Sequence, residues 1–229
     1  MNNSHLTKGE LSRMIISRLI VFVLLFMAIF FLTAGTFLYW EAWAYLATLI
    51  VPMLLVTAYL LKNDPGLLER RMRMREKVAE QKLIIKLSYI PFLFAYILPG
   101  FDKRFGWSNV PAGAVIIADC SVLIGYGIIF LVFRENSYSS RIIEVEQGQT
   151  VIQSGPYAVV RHPMYIGAIF LYFFSPLALG SGWAMIPVIF FIPILVARIL
   201  NEEEVLARDL KGYKEYMQKV RYRLIPGVW

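Results

Sequence analysis

Long apolar runs separated by short polar clusters set the plan of the chain. The first runs from about Leu19 to Leu38 behind Lys8, Arg13 and Arg18, and the second from about Trp43 to Leu61, joined by a turn at Tyr39 to Ala42. The pair predicts an antiparallel helical hairpin. A cleaved signal peptide has an apolar core of roughly 7 to 15 residues, whereas about 20 cross a bilayer, so the first run reads as a retained membrane helix. A third run, Leu83 to Leu98, is short and holds Pro91, which predicts a kink. The fourth, Pro111 to Phe133, is long enough to span. The last two, Met164 to Leu179 and Trp183 to Leu200, flank Gly180-Ser181-Gly182 and contain Pro176, Pro187 and Pro193. Proline-interrupted spans are tolerated where neighbouring helices or a cavity satisfy the freed backbone groups. They point to a pocket.

Three polar segments alternate with these runs. Asn63-Asp64-Pro65 reads as a helix cap followed by a first-turn proline, opening a basic amphipathic stretch to Lys82. It carries Arg70, Arg71, Arg73, Arg75, Lys77 and Lys82 against Glu69, Glu76 and Glu80. Such a helix suits the inner leaflet surface. Between Arg134 and Arg161, alternation over 141–146 and 149–153 around Gln147-Gly148 predicts a small hairpin. From Asn201 to Lys219, Leu206, Leu210, Tyr213 and Met217 are spaced for one helical face, and Gly212 weakens that helix midway. The expected fold is an all-α, polytopic membrane bundle of about six spans, with a short cytoplasmic hairpin and a C-terminal cytoplasmic helical segment. Residues 1–133 form its N-terminal part and 134–229 its C-terminal part.

Composition agrees: of 229 residues, 58% are hydrophobic, more than a soluble domain carries. With six spans and both termini on one side, all but Lys103 and Arg104 of the 23 Lys and Arg lie at or near that side. By the positive-inside rule it is the cytoplasm. The net charge of +7 then faces anionic lipid and requires no nucleic acid. The lone Cys120 sits in an apolar run as a small packing residue, and with only His5 and His162 beside it no metal set is expected. Asp119 is the one acid deep in an apolar span, and no role is evident for it.

Chemistry concentrates at Gly155-Pro156-Tyr157 and Arg161-His162-Pro163-Met164-Tyr165. Pro163 fits the first turn of a helix, because its missing N–H would be unpaired there in any case. Arg161 and His162 then stand just outside, and Tyr165 lies in the first turn beside free N–H groups that favour anions. An Arg-His pair before a membrane helix also serves as a headgroup-level anchor. Antiparallel packing brings this end to Arg198, Glu202 and Glu203 at the end of the sixth span. Arg198 and Glu202 share a helical face and can form an ion pair worth about 0.2–0.5 kcal/mol. Glu203 is not explained by that pair.

These three elements in order, with Val220-Arg221-Tyr222-Arg223-Leu224-Ile225-Pro226 behind them, resemble the isoprenylcysteine carboxyl methyltransferase-like family, which includes phospholipid methyltransferases. The resemblance covers roughly residues 136–229. It implies an integral membrane methyltransferase using S-adenosylmethionine, with His162, Tyr165, Glu202 and Glu203 binding the cofactor and Arg161 and Arg198 at the reacting end. It also implies a lipophilic small-molecule or lipid acceptor, a carboxylate or an amine, reached through the membrane lipids. Tyr213, Tyr216, Arg221 and Arg223 are expected to close over the site. There is no Gly-x-Gly-x-x-Gly fingerprint and no strand–helix alternation for a Rossmann sheet. A non-catalytic membrane protein that binds lipid or assembles with partners is the competing reading. A small transporter fits less well, since the charges gather at one interface.

Overall fold

The computed structural model describes residues 7–72 and 79–229. Among them, α1 (Lys8–Ala34), α2 (Trp40–Asn63), α3 (Pro65–Met72), α4 (Ala79–Phe105), α5 (Ala112–Glu135), α6 (Pro163–Ala178), α7 (Met185–Ile189), α8 (Phe191–Asp209) and α9 (Tyr213–Lys219) form a helical bundle. Five helical stretches are long and apolar enough to cross a membrane: Gly9–Ala34, Trp40–Asn63, Glu80–Phe105, Ala112–Glu135 and Met185–Asp209. The protein is a multi-pass membrane protein.

The shorter apolar α6 also runs the length of the bundle, as its two ends show. At its start, Met164 packs with Leu11 of α1, Leu60 of α2, Leu67 of α3 and Val132 of α5. Beyond its end, the Leu179 carbonyl accepts from the Tyr39 hydroxyl at 2.5 Å, and Ser181 donates to Asp102 at 2.5 Å. Tyr39 begins α2 and Asp102 closes α4, so α6 runs from one end of the bundle to the other. Asp102 is 2% exposed and also accepts from the Ser108 backbone and hydroxyl, which ties the α4–α5 loop to the turn after α6. Lys103 pairs with Glu41 beside this knot at 3.0 Å.

Local sequence explains the boundaries. Asp64 caps α3 by accepting from the Leu67 N–H at 2.8 Å, and Pro65 occupies its first turn. Pro193 has no N–H to offer the carbonyl four residues back, and the helix breaks at Phe190 between α7 and α8. Gly212, at φ +88°, separates α8 from α9, in line with the weak point read from the sequence.

Three local expectations change. The described part of the basic stretch does not lie free on a leaflet: Leu67 and Leu68 are buried against α2 and α5. Arg70 donates twice to the Ser137 carbonyl, at 2.9 and 2.6 Å, and Arg71 donates to that of Ser140 at 3.1 Å. Arg73, Arg75, Glu76 and Lys77 fall outside the described residues. The 141–153 segment turns at Gly148, where the Gln149 N–H reaches the Glu146 carbonyl at 3.1 Å, but no strand ladder follows among the described residues. Its apolar side chains, Val145 and Val151, pack on Leu210, Tyr213 and Tyr216 instead. Cys120 points outward from α5 rather than into the packing, and Asp119 is buried with Oδ1 unpartnered.

The α5–α6 contact is the most extensive between helices. It depends on facing glycines, as close helix pairs in membranes often do. A Cβ on Gly167 would lie 2.6 Å from Ile129 Cγ1 and 2.8 Å from the Gly125 carbonyl oxygen, whereas one on Gly113 meets nothing within 4 Å. Gly167→Ala should therefore lower stability by about 1–3 kcal/mol through overpacking. Thermal unfolding of the purified protein in detergent checks this, with Gly113→Ala as the variant expected to leave the midpoint unchanged.

Candidate functional site

The site is assembled from the start of α6, the end of α8, the 136–158 segment and the C-terminal stretch. The Gly155-Pro156-Tyr157-Ala158 sequence forms a single 3-10 turn. Gly155 has φ +54°, and a Cβ there would meet the Glu135 side chain at 2.6 Å, so glycine is required where the turn closes on α5. Ser154 donates to Glu135 at 2.7 Å and fixes the same junction. Tyr157 then points inward, accepting from Asn136 Nδ2 at 2.9 Å.

Pro163 opens α6 with His162 as its N-cap, as the sequence led us to expect. Arg161 and His162 are buried, at 6% and 5% exposure. Their backbone N–H groups donate to the carbonyls of Tyr222 and Arg223 at 3.0 and 2.9 Å, which lays the C-terminal stretch alongside them. Arg161 reinforces the contact, donating through Nη1 to the carbonyls of Val220 and Arg221, both at 2.8 Å.

Glu203 holds this assembly from α8. One oxygen accepts from Arg161 Nε at 2.5 Å and lies 3.2 Å from His162 Nε2; the other accepts from Arg223 Nε at 2.8 Å. A carboxylate 4% exposed is costly to bury unless it is paired and hydrogen-bonded, and here both oxygens are engaged. Arg223 also stacks over Trp229, its guanidinium carbon 5.2 Å from the ring centroid.

Glu202, one residue earlier, is placed differently. Its Oε2 accepts from the Tyr165 hydroxyl at 2.5 Å, and that hydroxyl accepts from Arg198 Nε at 3.0 Å. No direct ion pair joins Arg198 to Glu202 among the described residues; Tyr165 stands between them. Arg198 further donates to Gln81 Oε1 and to the Arg141 carbonyl, each at 3.0 Å. Gln81, wholly buried, returns its amide to Asn201 at 2.6 Å. A relay thus runs from Gln81 of α4 through Arg198 and Tyr165 to Glu202.

All six candidate side chains converge on one end of the bundle, but they divide into a clamp (Arg161, His162, Glu203) and a relay (Arg198, Tyr165, Glu202). A cavity lies between them, lined by Arg161, His162, Tyr165, Glu202 and Tyr213, with Asn136, Tyr157 and the 138–152 segment as its roof. Burial pushes the Tyr157 phenol up to about 12, so it is a neutral hydroxyl at physiological pH. Arg71, at the edge of the site, is pushed down to about 10 by burial and by the neighbouring Arg141, and it stays a cation. Sequence reasoning missed Gln81, Asn136 and the clamping role of Arg223. Gln81 stands in a basic run without any local signal, since its partner is 117 residues away.

The model describing the phospholipid methyltransferase family matches residues 114–212, the stretch from α5 to the glycine before α9. This stretch is similar to that family and makes up under half of the chain. It contains both the clamp's Arg161, His162 and Glu203 and the whole α6–α8 part of the relay. A Delta(14)-sterol reductase from Mus musculus is 30% identical over 105 residues, which make up 42% of this chain and 25% of that protein. The chain thus spans about a quarter of the length of that curated relative.

Removing the clamp's centre tests its structural weight. Glu203→Ala leaves the buried Arg161 without its carboxylate, at a cost of about 3–5 kcal/mol, and frees the stretch beyond Gly212. Trypsin should cut at Lys214 and Lys219 much faster in this variant while the membrane helices stay protected. Equal cleavage of wild type and variant would mean that the C-terminal stretch is held by other contacts.

Proposed function

We propose that this protein is an integral membrane methyltransferase that takes its methyl group from S-adenosylmethionine and delivers it to a lipophilic acceptor. The observation that carries the reading is the cavity within the family stretch, where Glu202 keeps one carboxylate oxygen for a ligand while Glu203 is fully engaged. S-adenosylmethionine supplies a methyl group on a cationic sulfonium, together with an ammonium and a carboxylate to be recognised.

The chain's own residues fit those requirements. Glu202 accepts from the ammonium, and the relay through Tyr165 and Arg198 keeps the carboxylate turned toward the cavity. At the start of α6 Pro163 has no N–H and those of His162 and Tyr165 already donate to the carbonyls of Arg223 and His162, so this end favours the ligand carboxylate through the helix dipole. Arg161 and His162 form the wall, and Glu203 holds them in place. Tyr157 and Tyr165 supply aromatic surface. In-line displacement relies on positioning and exclusion of water, so the site requires no strong base for an acceptor that is already ionised. The cavity measures about 100 Å³, below the roughly 300–1,000 Å³ of small-molecule sites. Entry of a nucleoside-sized donor therefore requires the 138–152 roof or α9 to swing outward, and its return excludes water.

The mouse relative favours a second reading, in which a related membrane scaffold reduces a lipophilic substrate. The two readings part at the donor. Calorimetry on the purified protein should show binding of S-adenosylhomocysteine and none of a reduced nicotinamide dinucleotide; the reverse result would transfer the site to reduction. Glu202→Gln should weaken S-adenosylhomocysteine by about 2 kcal/mol or more, since the ligand ammonium loses its counter-charge. Arg198→Leu acts through Tyr165, so donor affinity and turnover with extracted lipids should fall together.

Both termini and the cavity are assigned to the cytoplasm. The assignment rests on the basic residues at the clamp end and on the solubility of the donor in water. Reporter fusions after Lys62, Lys103, Arg141 and Trp229 should read inside, outside, inside and inside. A reporter after Trp229 that reads outside would overturn this orientation.

A further inference from the structure

Helix α9 carries a hydroxyl that no hydrogen bond among the described residues uses. Tyr213 is 4% exposed, and its ring packs against Leu210 and Tyr216, with ring centroids of the two tyrosines 5.7 Å apart. Its hydroxyl oxygen is buried and has no hydrogen-bond partner among the described residues, although Tyr216 beside it donates to the Tyr157 carbonyl at 2.8 Å. A buried hydroxyl without a partner costs about as much as a lost hydrogen bond, so phenylalanine would serve the packing better. Tyr213 lines the same cavity wall as Glu202, Arg161 and Leu206.

We infer that the Tyr213 hydroxyl is a binding contact for the amino-acid end of the methyl donor, accepting from its ammonium beside Glu202 and donating to its carboxylate. The inference rests on the proposed methyltransferase reading and adds to it a residue just beyond the family match, which ends at 212. Two features select that end of the donor over the adenosyl end. Burial first, and then the carboxylates of Glu203 and Glu202, hold the phenol in its protonated form, which both accepts and donates. The free oxygen of Glu202 on the same wall gives an ammonium a full counter-charge, whereas an adenine carries no charge to match it.

The test uses the full chain in detergent or nanodiscs, wild type and Tyr213→Phe, with two ligands. S-adenosylhomocysteine carries the amino-acid end, and 5′-methylthioadenosine lacks it. The expected result is a loss of about fivefold to tenfold in affinity for S-adenosylhomocysteine in the variant, with 5′-methylthioadenosine affinity unchanged. Unchanged 5′-methylthioadenosine binding also shows that the variant is folded. Equal loss for both ligands, or no loss for either, overturns the inference and returns Tyr213 to packing. Absence of S-adenosylhomocysteine binding in the wild type is a different failure, which removes the methyltransferase reading itself.

Discussion

A single buried carboxylate organises the functional end of this protein. Glu203 sits at the end of an apolar helix where an unpaired charge would be excluded, and it is tolerated because Arg161, His162 and Arg223 surround it. The partners come from two parts of the chain: two from the entry to α6 and one from the stretch after α9. The carboxylate therefore fixes the C-terminal stretch against α6 and α8 at once. Backbone bonds from Arg161 and His162 to Tyr222 and Arg223 follow the same seam. Leu224 and Trp229 add apolar packing against Tyr165 and Ile199 along the same seam.

The neighbouring Glu202 has a different role because of helix geometry. Successive residues on a helix point about 100° apart, so a Glu-Glu pair cannot face one partner. One side chain turns into the clamp and the other toward Tyr165 and the cavity. The two adjacent acids therefore differ: one is neutralised by its partners, and the other lines the cavity with one oxygen bound to Tyr165. Arg198 stays one step removed from the cavity, since its guanidinium is committed to Tyr165, Gln81 and the Arg141 carbonyl.

Much of this was legible in the sequence. Apolar run lengths gave the crossings, Pro163 gave the start of α6, Asp64-Pro65 the start of α3, and Gly212 the break before α9. Helix parity alone brought Arg161, His162 and Tyr165 to Arg198, Glu202 and Glu203. What escaped was set by tertiary contact. Alternation over 141–153 reads as a hairpin, but those apolar positions bury themselves against Leu210 and Tyr213, so burial is satisfied without a strand partner. The Arg198–Glu202 spacing reads as an ion pair, yet Tyr165 from another helix enters between them. Gln81 could not be found at all, because its importance comes wholly from residues more than a hundred positions away.

The two ends of the bundle are held by different means. At the far end, Asp102 joins Ser108 and Ser181 while Tyr39 holds the Leu179 carbonyl, so the turn between α6 and α7 is pinned by buried hydrogen bonds. At the clamp end, the roof over 138–152 has no ladder, and α9 is separated from α8 by a glycine in the left-handed region. Tight packing at α5–α6, through Gly125 and Gly167, ties the two ends together. Neutral and charged hydrogen bonds around Asp102 at one end and paired charges around Glu203 at the other thus fix α6 at both of its termini.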